Sequence, residues 1–104
     1  MAKFRVDLSE PAENDLRDIV KYISAQLDAP LTALKTMGVI EEALGTLTDM
    51  PQRCPLAADE YLAAMGYRKL IIKNYVAFFT VDEKKKVVDV ERILFARRDW
   101  LRIM

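Results

Sequence analysis

The side chains with chemical potential are concentrated in the last third of the chain. GYRKLIIKNYVAFFTVDEKKKVVDVERILFARRDW, residues 66 to 100, places Arg68, Lys69 and Lys73 before one apolar stretch and Arg97, Arg98 and Trp100 after another. Clustered guanidinium and ammonium groups stabilise negative charge, phosphate above all. An indole beside them adds a stacking surface but exchanges no proton at ordinary pH. This stretch therefore offers a positive, partly aromatic rim, and the chemistry it suits is contact with an anionic partner. The lysine run Lys84 to Lys86 reads either as a solvated hairpin tip or as a phosphate contact.

Three elements must position that rim. Tyr67 to Lys73, Tyr75 to Asp82 and Val87 to Leu94 are rich in β-branched and aromatic residues, broken at Lys73-Asn74 and at Glu83 to Lys86. The spacing predicts an antiparallel meander in which Ile72 pairs with Tyr75 and Asp82 with Val87. In that register Leu70, Ile72, Tyr75, Ala77, Phe79, Val81, Val88, Val90 and Leu94 form a core face. Arg92 falls on the same face, where a buried pair with a helix carboxylate is its simplest role. The opposite face, with Lys69, Ile71, Val76, Phe78, Asp89, Glu91 and Ile93, is predicted to be half-wet, an open sheet beside the basic rim.

The first half supplies a cover. Phe4, Val6 and Leu8 alternate with Lys3, Arg5 and Asp7, the pattern of a half-buried strand. Ser9 stands where a helix N-cap belongs, with Glu10, Pro11 and Glu13 suited to the first turn. Ala12, Leu16, Ile19, Val20, Ile23 and Leu27 then form one apolar stripe on a helix running to about Leu27. Asp28-Ala29-Pro30 stops that helix and starts another, whose stripe is Leu34, Met37, Ile40, Leu44, Leu47 and Met50. The short connection makes an αα-hairpin, predicted to lie on the core face of the sheet. Pro51 to Gly66 reads as a loop with one helical turn at most. The fold class is α+β, a single domain ordered β-α-α-β-β-β with a short C-terminal helix, the helical hairpin packed on one face of an antiparallel sheet.

Composition narrows the chemistry further. The 104 residues suffice for one hydrophobic core without disulfides or metals. Cys54 is the only cysteine and there is no histidine, so Ser-His-Asp, Cys-His and HExxH chemistry are excluded and no metal or cofactor is called for. One cysteine suits a reducing cytoplasm, and nothing resembles a signal peptide or a membrane span. The net charge of zero hides a division: residues 1 to 60 hold 6 Lys/Arg against 11 Asp/Glu, and residues 61 to 104 hold 10 against 5. Such a division fits either an anionic partner for the C-terminal half or complementation within one globule.

The order of elements, with Ser9, Ala12, Asp15, Leu16, Ile19, Tyr22 and Ile23 in FRVDLSEPAENDLRDIVKYIS and the closing YRKLIIKNYVAFFTVDE, VERIL and RRDW, resembles the RelE/ParE superfamily of toxins from bacterial type II toxin-antitoxin modules. The resemblance implies a small growth-inhibiting toxin neutralised by a cognate antitoxin, whose disordered tail folds on binding. It implies one of two targets. RelE-like members cut messenger RNA on the ribosome without a metal; ParE-like members poison DNA gyrase. Metal-free cleavage needs the 2′-OH deprotonated, the pentacoordinate phosphate stabilised and the leaving oxygen neutralised. By resemblance Lys69, Arg97 and Arg98 are the candidate catalytic residues, with Arg68, Lys73 and Trp100 as nucleic-acid or target contacts. The nuclease set is reduced here: Val76 follows Tyr75 where those enzymes carry an arginine, and the tail holds no tyrosine. The function expected from the resemblance is growth inhibition by ribosome-dependent mRNA cleavage with this reduced set, and the alternatives are non-catalytic gyrase inhibition through the helical hairpin and the C-terminal rim, or a degenerate toxin that keeps only antitoxin binding.

Overall fold

The computed structural model describes residues 3–96. Four strands form one sheet in the order β1-β4-β3-β2, with β1 at Arg5–Leu8, β2 at Arg68–Ile72, β3 at Tyr75–Asp82 and β4 at Val87–Phe95. The meander is antiparallel in the predicted register, Ile72 opposite Tyr75 and Asp82 opposite Val87. Strand β1 joins it parallel to β4, Arg5 opposite Val87 through Leu8 opposite Val90. The sheet is therefore mixed, and its parallel pair joins strands far apart in the chain, as parallel neighbours require a long connection. The predicted C-terminal helix lies outside the described residues.

Helix α1 spans Glu10–Lys21 and begins as its sequence dictates. The Ser9 hydroxyl oxygen accepts from the Ala12 N–H at 3.1 Å and donates its own proton to the Glu91 carbonyl at 2.8 Å, so one side chain caps the helix and pins it to β4. The helical backbone continues to Gln26 as a π-helical turn, Tyr22–Gln26, and Leu27 N–H reaches the Tyr22 carbonyl at 3.2 Å. Helix α2, Pro30–Gly45, returns antiparallel, with proline in the first turn as predicted. The hairpin covers one face of the sheet. Ala12, Leu16, Ile40, Leu44 and Leu47 pack there against Ile72, Ala77, Phe79, Val88, Val90 and Ile93. Each of the larger side chains contributes about 2 kcal/mol by leaving water.

Two features depart from the predicted faces. Between Phe78 and Phe79 the register slips: Phe78 faces Arg92 while Phe79 faces Val90, which leaves Glu91 as the extra residue of a β-bulge. Past the bulge the alternation inverts, so Ile93 enters the main core and Leu94 the opposite face. The second departure is the cover on that face. Pro51 to Gly66 contains a short helix α3, Glu60–Ala64, capped by the Asp59 carboxylate, which accepts from the N–H groups of Tyr61 and Leu62. Its Leu62 and the neighbouring Ala57 bury Val76, Phe78 and Leu94 in a second, smaller core with Tyr67 at its margin. This face was expected to be half-wet; instead its centre is closed, because the aromatic and branched residues there need an apolar partner as much as those of the first face.

Candidate functional site

Strand β2 carries the basic residues nearest the sheet, and the period of two decides what they can do together. Arg68 lies opposite Phe79 and Lys69 opposite Phe78, so the two side chains leave from opposite faces. Arg68 is held on the hairpin-covered side, where its Nη1 donates to the Cys54 carbonyl at 2.7 Å and to the Gln52 carbonyl at 3.3 Å. There it ties down the loop leading to α3. Burial pushes the neighbouring Cys54 thiol up, against the pull of Arg53 and Arg68, so this thiol has little nucleophilic character. Lys69 is half-buried on the second face, and its backbone N–H donates to the Pro55 carbonyl at 3.1 Å. Lys73 is exposed in the β2–β3 turn, with a positive φ of 54°. Arg97, Arg98 and Trp100 lie outside the described residues.

Lys84 to Lys86 form the tip of the β3–β4 hairpin. The Asp82 carboxylate accepts from the N–H groups of Lys84 and Lys85, and the Lys86 ammonium stands 5.0 Å from the centroid of the Phe4 ring. The run thus has a local structural role.

Sequence reasoning missed a groove between α1 and the far ends of β3 and β4. It encloses about 600 Å³, and among the described residues its lining includes Asp15, Asp18, Tyr22, Tyr75, Arg92 and Phe95. The Arg92–Asp15 pair is the one predicted in outline: Nε to Oδ2 at 2.7 Å and Nη2 to Oδ1 at 2.8 Å, a bidentate fork. That hydrogen bond raises the Arg92 guanidinium above its ordinary value, against the effect of burial. Asp15 Oδ2 also accepts from the Ile93 N–H at 3.0 Å, where β1 has ended and β4 would otherwise present an open edge. The bulge sets Arg92 opposite Phe78, off the predicted core face, and the expected pair with a helix carboxylate forms at the groove instead. The signal available in the sequence was the spacing of Asp15, Ile19 and Tyr22 on one side of α1.

The groove and the basic strand sit on a fold with known relatives. The model of the ParE toxin family, the toxin of the parDE type II toxin-antitoxin system, matches residues 6–100. Among solved structures, the chromosomal ParDE system from P. aeruginosa is similar with a TM-score of 0.76 at 22% identity, over 93% of this chain and 100% of that one. The toxin-antitoxin complex RelBE2 from Mycobacterium tuberculosis gives 0.64 at 20%, over 91% and 93% of the two chains. An arginine-substituted E. coli toxin RelE in the free state gives 0.60 at 19%, over 99% and 93%. At these identities the structures establish a shared fold. A search of curated proteins by sequence finds no match. The family match spans nearly the whole chain, and the chain belongs to the ParE toxin family of type II toxin-antitoxin systems.

Proposed function

We propose that this toxin arrests growth by binding DNA gyrase, without cutting RNA, and that a cognate antitoxin neutralises it. The observation that carries the reading is the dispersal of the basic groups on β2. Arg68 is tied to the Gln52 and Cys54 carbonyls on one face, Lys69 emerges from the other, and the position after Tyr75 is the fully buried Val76. Phosphoryl transfer without a metal needs several such groups converging on one phosphate. A binding surface has a different requirement, exposed apolar area on a firm support. Leu27, Leu31 and Leu34 supply it at the end of the helical hairpin, 56%, 76% and 65% exposed.

Two assays on the purified toxin separate the classes. Supercoiling of relaxed plasmid by gyrase is expected to fall with added toxin, while transcripts in a translating extract stay intact. Leu31→Asp with Leu34→Asp should weaken the inhibition at least about tenfold and leave the melting midpoint within about 4 °C, since both side chains are exposed. Cut transcripts that become intact on Arg97→Ala with Arg98→Ala would overturn the proposal in favour of ribosome-dependent cleavage by Lys69, Arg97 and Arg98. Growth unaffected by expression would mark a degenerate toxin.

A further inference from the structure

We infer that the groove between α1 and the ends of β3 and β4 receives a single arginine side chain from the inhibited protein, held between tyrosine rings and a carboxylate. The inference rests on the inhibitor reading for the identity of the partner and on the groove alone for its chemistry. Tyr22 and Tyr75 line the groove from opposite elements, and the Phe95 ring stands edge-on to Tyr75 with centroids 5.9 Å apart. Asp15 and Asp18 bring two carboxylates to the same space. Arg92 is the only cation in the described lining, and its fork is engaged by Asp15. Among the described residues the charge left over is that of Asp18, which is exposed and shares the groove with the aromatic rings. Rings with a neighbouring carboxylate favour a cation, and a planar guanidinium fits them better than an ammonium because it stacks while it donates.

Two further observations agree. Tyr22 opens the π-helical turn, a backbone distortion that is costly without a local use, and it leaves that ring 56% exposed at the groove. The Tyr75 hydroxyl is raised above its ordinary pKa by burial and then by Tyr22, and both tyrosines line the same groove. The volume of about 600 Å³ holds one side chain with its flanking backbone, in the range of small-ligand sites.

The test uses the full chain and N-acetyl-arginine methylamide as the probe, followed by NMR at the ring protons of Tyr22, Tyr75 and Phe95. Saturable shifts are expected, with the uncharged citrulline analogue weaker by about tenfold and the lysine analogue between them. Asp18→Asn and Tyr22→Ala, both at exposed positions, should each reduce probe affinity several-fold without changing the melting curve, and should weaken gyrase inhibition in parallel. Equal shifts from citrulline, or none from arginine, would overturn the inference even where wild-type toxin inhibits gyrase. Probe binding seen only in the Arg97→Ala, Arg98→Ala chain would also overturn it, because the occupant would then be the toxin's own tail. Inhibition absent from the wild type would remove the partner and the inhibitor reading together, while the NMR result would still report on the groove.

Discussion

At the scale of single residues, the Asp15 carboxylate ties α1 to β4. Its Oδ1 accepts from Arg92 Nη2 and its Oδ2 from both Arg92 Nε and the Ile93 N–H, with the Asp15 and Arg92 side chains 12% and 22% exposed. A partly buried ion pair contributes modestly as a pair, but removing one partner strands the other. Asp15→Ala is expected to lower unfolding free energy by about 2–4 kcal/mol, since it removes the acceptor that two guanidinium N–H groups and the Ile93 N–H share. Asp15→Asn keeps one carbonyl oxygen for Ile93 and should cost less than half as much. Urea denaturation of the two variants measures the difference. A change below about 0.5 kcal/mol for Asp15→Ala would mean that water replaces the carboxylate at both sites.

At the scale of elements, the bulge in β4 decides which side chains meet the helices. Glu91 is the inserted residue, and its carboxyl is raised above the ordinary value by burial and then by Asp89. A raised carboxyl favours the protonated form in the folded state. Its contribution is therefore complete below the ordinary value of 4.5 and is lost as pH rises through the folded value. Glu91→Gln should consequently stabilise the protein at pH 7, with an advantage that shrinks to nothing as pH falls below 4.5. Melting curves across that range test it, and an advantage independent of pH would assign the effect to packing. The bulge was not legible in the sequence. VVDVERILF has apolar residues on both sides of Glu91-Arg92, and the adjacent Ile93 and Leu94 satisfy either phase of a period of two. The turns were legible because polar pairs and runs interrupt otherwise continuous strands, and α1 because Ser9, Pro11 and the apolar stripe agree. Helix α3 was legible only as the single turn expected within Pro51 to Gly66, since five residues carry too little periodicity to fix its place. The Arg68 tie was hidden for another reason: its partners are backbone carbonyls, which leave no trace in side-chain patterns.

At the scale of the whole molecule, two cores of unequal size lie on opposite faces of β3 and β4. Along β3, Val76 and Phe78 belong to the smaller core and Ala77 and Phe79 to the larger, all four fully buried. A central strand that alternates in this way cannot lose its packing on one face while keeping full order on the other, because each backbone hydrogen bond in it is supported from both sides. The smaller core should therefore unfold with the larger, although Ala57 and Leu62 come from a segment that reads locally as a loop. Leu62→Ala removes a side chain that is 2% exposed and is expected to lower global stability by about 2–4 kcal/mol. The denaturation midpoint should move equally whether followed by far-ultraviolet circular dichroism or by tyrosine fluorescence. Amide exchange should accelerate in β3 and β4 as well as in α3. Exchange that accelerates only across residues 55 to 67, with β3 still protected, would show instead that α3 is a separable cover. In that case the second face would open without unfolding, and Val76, Phe78 and Leu94 would become accessible while the main core stayed closed.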